Sequence, residues 1–313
     1  MDLKNLNLKS DIFLAPMAGF TDAAFRKLCQ NYGVTLTFTE MISANALSRN
    51  NKATLKLLQS FPDENVGVQL FGQDPKTFVK AIKVLEKFEK ENNFRFAVID
   101  LNFGCPASKI IRQGSGSVLM ARPNKIKQIV EAVVGVANRP VFCKIRSGIS
   151  SKKINAVEIA KICESAGASL VTVHSRTQKQ GYTGKADWLV IKQVKESVGI
   201  SVCANGDIKD YNSYSKCKEE TGADYFMIGR ASLGNPFIFK EIINKKKIDI
   251  STTMKLDAFI DYLDFAKQLD LNLNQIKVQA QNFTRGIPGS SKIRNALSRV
   301  KGLNAILKII KEI

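Results

Sequence analysis

The sequence is poor in the residue types that carry much of metal and acid–base chemistry. Its 313 residues include one histidine, His174, and one tryptophan, Trp188. Six cysteines are scattered singly and never form a Cys-x-x-Cys pair, the spacing that is typical of zinc sites and dithiol redox centres. We therefore expect no bound metal, and any step that requires an imidazole has His174 as its one candidate.

Long apolar runs are also missing. No stretch approaches eighteen consecutive apolar residues, the length that suggests a membrane-spanning helix. The start of the chain, Met1-Asp2-Leu3-Lys4, lacks the apolar core of a signal peptide. These two absences predict a cytoplasmic protein with no membrane partner.

Acidic residues are too few to balance the basic ones. The chain carries 47 Lys and Arg against 28 Asp and Glu, which gives a formal net charge of +19 and a pI near 9.7. An excess of this size indicates a polyanionic partner such as a nucleic acid. A lysine-rich proteome would give an ordinary enzyme the same composition, so both interpretations stay open on charge alone.

What is present is a regular alternation of eight short apolar runs with amphipathic segments. The runs predict strands, and the segments between them carry apolar residues at helical spacing. Eight alternations within about 230 residues favour an α/β fold of the closed (β/α)8 TIM-barrel type. The alternative, an open doubly wound sheet, would require Gly-x-Gly-x-x-Gly after the first strand, where the chain reads Ala15-Pro16-Met17-Ala18-Gly19. The predicted strands are 12–17, 36–41, 66–71, 96–101, 140–145, 170–175, 201–205 and 225–229, and the predicted helices include 74–91, 125–137, 156–166 and 189–198.

The strand pattern stops before residue 244. Residues 244–253 read as a lysine-rich linker, and helices are predicted at 257–269, 275–284 and 292–312. Residues 244–313 carry thirteen Lys or Arg against six acids, a bias that suits docking of a nucleic-acid backbone. We therefore predict two domains, a catalytic barrel over residues 1–243 and a small, basic, all-helical domain over residues 244–313.

The predicted strand 96–101 leads into Asn102-Phe103-Gly104-Cys105-Pro106, which places an asparagine and a cysteine at a strand end. Parallel-stranded barrels keep their chemistry at the carboxyl ends of the strands. Most free cysteines, however, are small apolar core residues. On position alone, the core interpretation of Cys105 is the favoured one.

Polar residues at other strand ends exceed what a packed core requires. Gln69 and Lys144 lie within runs that should be buried, where an unpartnered amide or ammonium is costly. A planar ring with many acceptors, such as a flavin or a nucleobase, would pair with them, and a phosphate would also suit Lys144. The segments Asn205-Gly206-Asp207 and Gly229-Arg230 occupy the place where barrels commonly bind phosphate, although glycines end many strands without any such role.

A series of motifs, in order along the barrel, resembles the tRNA-dihydrouridine synthases. The basic tail with Gly286-Ile287-Pro288-Gly289 is similar to the RNA-binding helical domain of that family. Each motif alone is weak, whereas the ordered set is highly specific. The motifs are Ala15-Pro16-Met17-Ala18-Gly19, Val68-Gln69, Leu101-Asn102-Phe103-Gly104-Cys105-Pro106, Lys144-Ile145-Arg146, Val173-His174-Ser175-Arg176-Thr177, Asn205-Gly206-Asp207-Ile208 and Gly229-Arg230-Ala231.

This resemblance implies an FMN enzyme that reduces the 5,6 double bond of specific uridines in tRNA, with NADPH as the reductant. We also expect the protein to be a monomer. It implies that Cys105 donates the proton to carbon 5 of the uracil, a role that a thiol of ordinary pKa can fill at neutral pH. It also implies a flipped-out uridine, since the base must leave its stack to reach the flavin. Matching positions would bind the flavin through Pro16, Met17, Ala18, Gln69, Lys144 and His174, its ribityl chain and phosphate through Asn205, Gly206, Asp207, Gly229 and Arg230, and the uracil through Asn102, Arg146 and Arg176.

Two rival functions remain open. An FMN-dependent dehydrogenase of a free pyrimidine or of dihydroorotate resembles the same barrel, but it would need neither the helical tail nor the charge. A basic RNA-binding scaffold with an inactive barrel would explain the charge, but it would not need the complete set of strand-end residues.

Overall fold

The computed structural model describes residues 3–313, and its centre is a nearly closed barrel of eight parallel strands. From the second strand to the eighth, strands that follow one another in sequence are neighbours in the sheet, and the eighth strand pairs with the first through Ile12 and Phe226. One parallel bridge, Phe13 with Leu36, closes the remaining seam between the first and second strands. The predicted (β/α)8 TIM barrel is confirmed. The strands are β1 (Ile12–Leu14), β2 (Thr37–Phe38), β3 (Val66–Phe71), β4 (Val98–Asn102), β5 (Val141–Arg146), β6 (Leu170–His174), β7 (Ser201–Asn205) and β8 (Tyr225–Ile228).

The strand predicted at 36–41 is much shorter in the structure. After Phe38 the backbone leaves the sheet, and the hydroxyl of Thr39 accepts the N–H of Gln69 at 3.1 Å in place of a backbone carbonyl. A separate short strand, Ile42–Ser43, then pairs with the upper part of β3. The β-branched run at 36–41 predicted one continuous strand. In the structure, the Thr39 side chain interrupts the hydrogen-bond ladder with β3, and the strand ends earlier.

Helices cover the outside of the barrel because each buries one apolar face. Helix Pro75–Glu91 shows the pattern, since Phe78, Ala81, Ile82 and Leu85 are buried and Asp74 caps its first turn. The other helices of the barrel region are Ala23–Asn31, Ala44–Leu47, Lys52–Leu55, Ser108–Arg112, Pro123–Val134, Ala156–Ser165, Trp188–Ser197, Tyr211–Thr221 and Phe237–Ile243, and short 3-10 turns span Leu3–Leu6, Gly116–Ala121 and Arg230–Ser232. A two-stranded hairpin, Gly148–Ser150 with Lys153–Ile154, follows β5.

Alternation along each strand divides the barrel interior into two layers. On β4, Ile99 and Leu101 pack with the helix-facing core, whereas Val98 belongs to a separate inner cluster, so Asp100 and Asn102 also face inward. We call the inner cluster the apolar layer: Phe13, Ala15, Leu36, Phe38, Val98, Phe142, Leu170, Cys203 and Met227. We call the inward positions nearer the strand ends the polar layer: Gln69, Asp100, Asn102, Lys144, Arg146, His174 and Asn205.

The C-terminal region is helical, as predicted, but its last helix is interrupted. The helices are Thr252–Gln268, Leu273–Phe283, Ser290–Arg299 and Leu303–Lys311. The prediction of one continuous helix over 292–312 is wrong, because the backbone is extended at Val300 and Gly302. This break lets the last helix fold back and bury Ile306 and Ile310.

The C-terminal helices pack directly on the barrel. Tyr262 donates to the Oδ2 of Asp22 at 3.4 Å, and the Nε2 of Gln279 donates to the Phe20 carbonyl at 2.7 Å. The division into domains at residues 243 and 244 stays a prediction, although a helix does end at Ile243. Within residues 3–313, none of the helices combines the length and the apolar character needed to cross a membrane.

Candidate active site

A cavity of about 970 Å³ lies at the carboxyl ends of the strands and gathers most of the residues predicted to bind a flavin. Gln69 and Ala18 are not among its lining residues, since Gln69 lies deeper in the polar layer. The predicted residues that line the cavity are Pro16, Met17, Lys144, His174, Asn205, Gly206, Asp207, Gly229 and Arg230.

The electrostatic character of the cavity is positive. Its two carboxylates are already engaged, because Asp207 accepts from Arg176 at 2.7 and 2.8 Å and Asp210 accepts from the N–H of Ser213 at 2.7 Å. Arg230 is exposed. The cations in the lining are Lys144, Lys185, Lys209, Lys216 and Arg230. The cavity therefore favours an anionic ligand.

Glycine is required where β7 ends. Gly206 has a φ of +124°, and a Cβ there would lie 2.9 Å from the Cβ of Ala186 and 3.2 Å from Cδ2 of His174. The next residue, Asp207, also has a positive φ, and its carboxylate accepts the N–H of Ala186 at 2.7 Å besides its pair with Arg176. The backbone of this turn is therefore fixed close to the cavity wall.

Lys144 and Asn205 form one hydrogen-bonded side of the polar layer. The Nζ of Lys144 donates to Oδ1 of Asn205 at 2.9 Å, and Nδ2 of Asn205 donates to the carbonyl of Met227 at 2.7 Å. Loss of hydration lowers the pKa of Lys144 to about 8, with the nearby Asp100 opposing the shift. Lys144 thus remains mostly protonated at neutral pH.

His174, the single histidine, is a neutral ring in this site. Burial lowers its pKa to about 2, and the cations Lys144, Arg146, Arg176 and Arg230 add to the shift. The imidazole can therefore offer a hydrogen bond to a ligand, but it does not act as a cationic acid near neutral pH.

Gln69, Asp100 and Asn102 form the other side of the polar layer. The Nε2 of Gln69 donates to Oδ2 of Asp100 at 2.6 Å, and Nδ2 of Asn102 donates to Oε1 of Gln69 at 2.8 Å. Burial raises the pKa of Asp100 to about 7. Sequence reasoning missed Asp100, although an acid within the apolar run of β4 is the same kind of signal that identified Gln69.

Cys105 is held in a tight turn at the end of β4. Its N–H and that of Gly104 donate to Oδ1 of Asn102 at 2.9 and 3.1 Å, and its carbonyl accepts from the N–H and hydroxyl of Ser117 at 3.0 and 2.8 Å. The other five cysteines are buried, whereas Cys105 is partly exposed, so the core interpretation of Cys105 is wrong. Burial of part of the residue raises the pKa of its thiol, which keeps it protonated at neutral pH.

Arg146 and Arg176 are buried and bind the loops around the mouth. Arg146 donates to the carbonyls of Gly104, Thr177 and Gly181 at 2.7 to 2.8 Å. Arg176 donates to Asp207 and to the carbonyls of Thr183 and Gly184, while its buried Nη1 has no hydrogen-bond partner. Their contact with a uracil stays a prediction.

Two aromatic residues of the cavity lining, Trp188 and Tyr182, were not among the residues predicted to form the site. Trp188 packs against the core and also donates from Nε1 to the carbonyl of Gly206 at 2.9 Å. Tyr182 is 57% exposed, and its ring lies 4.9 Å from the guanidinium of Arg230 and 6.2 Å from the ring of His174. A lone tyrosine in a Gly-rich loop gave no pattern by which to find it.

Among residues 3–313, no cluster of three or more His, Cys, Asp or Glu is arranged to hold a metal ion.

Comparisons with known proteins agree with this geometry. A family model for dihydrouridine synthase (Dus) matches residues 13–312. A probable tRNA-dihydrouridine synthase of Rickettsia conorii is 34% identical over 98% of this chain and 94% of its own length. The tRNA-dihydrouridine synthase B of Pasteurella multocida is 39% identical over 81% of this chain and 76% of its own length.

Solved structures support the fold. A 2-naphthoyl-CoA reductase complex matches 76% of this chain and 50% of its own, with a TM-score of 0.58 and 12% identity. Histamine dehydrogenase from Rhizobium sp. 4-9 matches 82% of this chain and 49% of its own, with a TM-score of 0.52 and 13% identity. With the matching family model and these relatives, the chain belongs to the dihydrouridine synthase family, a family of oxidoreductases.

Proposed function

We propose that this protein is a tRNA-dihydrouridine synthase that uses FMN and NADPH to reduce specific uridines of tRNA. One observation carries the proposal: a positively charged cavity and a partly exposed, protonated thiol share the carboxyl end of one barrel. The printed names of the relatives from R. conorii and P. multocida support tRNA as the substrate.

The residues of the cavity fit FMN. The volume of the cavity, about 970 Å³, lies within the range of cofactor and ligand pockets. Lys144 and the exposed Arg230 would offer charge to the anionic parts of such a ligand, and Arg230 would bind the phosphate of the cofactor. Gly206 and Gly229 would let the backbone approach the ribityl chain and phosphate, and Met17 and His174 would contact the ring system.

Reduction of a uracil requires a hydride and a proton. Reduced FMN, when bound, would supply the hydride. Cys105 would give the proton to carbon 5, because its raised pKa keeps the thiol protonated at neutral pH. Asn102 holds the backbone of Cys105 in place, and the charge that develops on the uracil would be stabilised by Arg176 and Arg146 nearby. Cys105 is thus a donor of a proton and not a nucleophile.

The helical tail gives the RNA a surface beside the mouth. Its first helix, Thr252–Gln268, packs on helix Ala23–Asn31 of the barrel, and residues 244–313 carry an excess of basic side chains. A uridine must leave its stack to enter a barrel, so contacts outside the mouth are needed to hold the rest of the RNA. This tail is what a dehydrogenase of free pyrimidines or of dihydroorotate would not need.

The first experiment is a visible absorption spectrum of the purified full chain, followed by identification of any flavin released on denaturation. We expect a flavin spectrum, FMN as the released species, and faster bleaching by NADPH than by NADH. With unmodified tRNA as the acceptor the flavin should reoxidise, while free uracil and orotate should leave it reduced. A colourless protein that takes up no added FMN would contradict the proposal, and reoxidation by orotate would favour the small-molecule dehydrogenase.

A further inference from the structure

We propose that Asp100 is a positioning residue that fixes the hydrogen-bond direction of Gln69 and Asn102 and thereby holds the turn that carries Cys105. We call this series of hydrogen-bonded groups the Asp100 relay: the Asp100 carboxylate, the Gln69 and Asn102 amides, and the backbone N–H groups of Gly104 and Cys105. The functional consequence rests on the proposed role of Cys105 as proton donor. The relay itself rests on contacts between residues of this chain alone.

The contacts of the relay are continuous from one end to the other. Gln69 Nε2 lies 2.6 Å from Asp100 Oδ2, and Asn102 Nδ2 lies 2.8 Å from Gln69 Oε1. Asn102 Oδ1 then accepts the N–H of Cys105 at 2.9 Å and that of Gly104 at 3.1 Å. Asp100 and Gln69 are each 1% exposed, so water does not substitute for a lost partner.

The chemistry of the groups allows one direction through the relay. Backbone N–H groups only donate, so the oxygen of Asn102 must face Cys105 and its nitrogen must face Gln69. The oxygen of Gln69 is then the acceptor, and its nitrogen must donate to whatever follows. The Asp100 carboxyl keeps an accepting oxygen towards Gln69 whether or not it is protonated, which makes Asp100 a matching end of the relay. An apolar residue there would leave the Gln69 nitrogen buried without a partner.

A second observation separates this role from simple packing. The other carboxylate oxygen of Asp100, Oδ1, is buried and has no hydrogen-bond partner. A buried carboxylate with one unpartnered oxygen is a poor way to stabilise a barrel. Its retention in the polar layer is explained by the acceptor that it gives to the nitrogen of Gln69, which the direction of the relay turns towards position 100.

The relay is tested by exchanging the carboxylate and the amide between its first two positions. Gln69→Glu alone sets two carboxyl groups against each other at the 2.6 Å contact, and we expect it to disturb the Cys105 turn. The double variant Asp100→Asn with Gln69→Glu keeps size and total charge. In that variant the amide introduced at position 100 would donate to the carboxylate introduced at position 69. That carboxylate would still accept from Asn102, so the turn should be restored.

The measured quantity is the rate of Cys105 alkylation by iodoacetamide across pH, followed on the Cys105 peptide by mass spectrometry. Cys105 is partly exposed and the other cysteines are buried, so the native protein reacts there first. We expect Gln69→Glu to change the rate by about tenfold and shift its pH midpoint. The double variant should return both values to within about threefold of the wild type. Asp100→Asn alone retains an acceptor oxygen and should stay close to the wild type.

The result that overturns the relay is a double variant no closer to the wild type than Gln69→Glu. If Gln69→Glu does not fold, recovery of folding in the double variant supports the relay, and failure of both variants to fold refutes it. Alkylation needs neither flavin nor tRNA. A rescued alkylation profile in the double variant, together with a wild-type protein that makes no dihydrouridine, would therefore keep the relay and contradict the proposed function. The two failures are distinguishable.

Discussion

On β4, β5 and β7 the apolar layer and the polar layer lie on the same inward face, with members two residues apart. On β4, Val98 belongs to the apolar layer and Asp100 to the polar layer, and on β5 the corresponding pair is Phe142 and Lys144. The apolar residues are buried against one another, which stabilises the barrel. The polar residues need partners for every buried amide and charge, which costs stability. A single strand therefore contributes to stability through its apolar position and to the candidate site through the polar position nearer its carboxyl end.

The polar side of this comparison is tested most strongly by Cys105→Ala. We expect dihydrouridine formation to fall by about 10²- to 10⁴-fold, because the variant lacks the general acid. Flavin binding, flavin reduction by NADPH and the melting temperature should remain close to those of the wild type. These are measured by nucleoside analysis, stopped-flow absorbance and calorimetry. Parallel loss of flavin binding and product formation would make Cys105 a structural residue.

The apolar side is tested by Phe142→Ala. Removing this fully buried ring should lower the free energy of unfolding by about 3–5 kcal/mol, because it leaves a cavity at the centre of the barrel. Urea denaturation of the flavin-free protein measures the change. The fraction that remains folded should bind FMN with nearly unchanged affinity. A large loss of affinity in that fraction would show that the apolar layer also contributes to the site.

Lys144→Met, two residues further along the same strand, is the matched control. We expect the dissociation constant of FMN to rise about tenfold, since a charged donor is lost. The free energy of unfolding should change by less than about 1 kcal/mol, because the variant also removes the desolvation cost of a charge. Destabilisation as large as that of Phe142→Ala would show that the polar layer also supports the fold.

The last effect expected is a pH dependence of stability contributed by Asp100. Its folded pKa of about 7 lies above the usual value of 3.8, so the folded state holds this proton more tightly than the unfolded state. The contribution of Asp100 to stability should therefore fall as pH rises from about 4 to about 7, with a slope no steeper than about 1.4 kcal/mol per pH unit. Asp100→Asn should remove this component, and Asp22, whose pKa is also raised, remains in both proteins. Equal slopes in urea titrations of the two proteins would contradict the assignment.

The sequence was most informative where one physical signal decided the structure. β3 and β7 have the predicted bounds because an apolar run coincides with the ladder. The shortening of β2 depends on the Thr39 hydroxyl, and the break near Gly302 depends on burial of the last helix, so both are decided by tertiary contacts. The barrel mouth followed from the strand ends.

The polar layer was harder to complete from sequence than the barrel. Gln69 and Lys144 stood out because polar residues are unexpected in apolar runs, and Asp100 carried the same signal without a motif role to bring it forward. Tyr182 reaches the cavity through a loop, where spacing gives no direction. The pairing of Arg176 with Asp207 joins two strands and becomes visible only in three dimensions.

The most direct measurement is nucleoside-resolved mass spectrometry of tRNA from cells that lack this gene and from the same cells carrying the wild-type gene or Cys105→Ala. We predict that dihydrouridine is missing at one or more positions in the deletion, returns with the wild-type gene, and does not return with Cys105→Ala. An unchanged dihydrouridine map in the deletion, in cells without a second enzyme of this family, would contradict it.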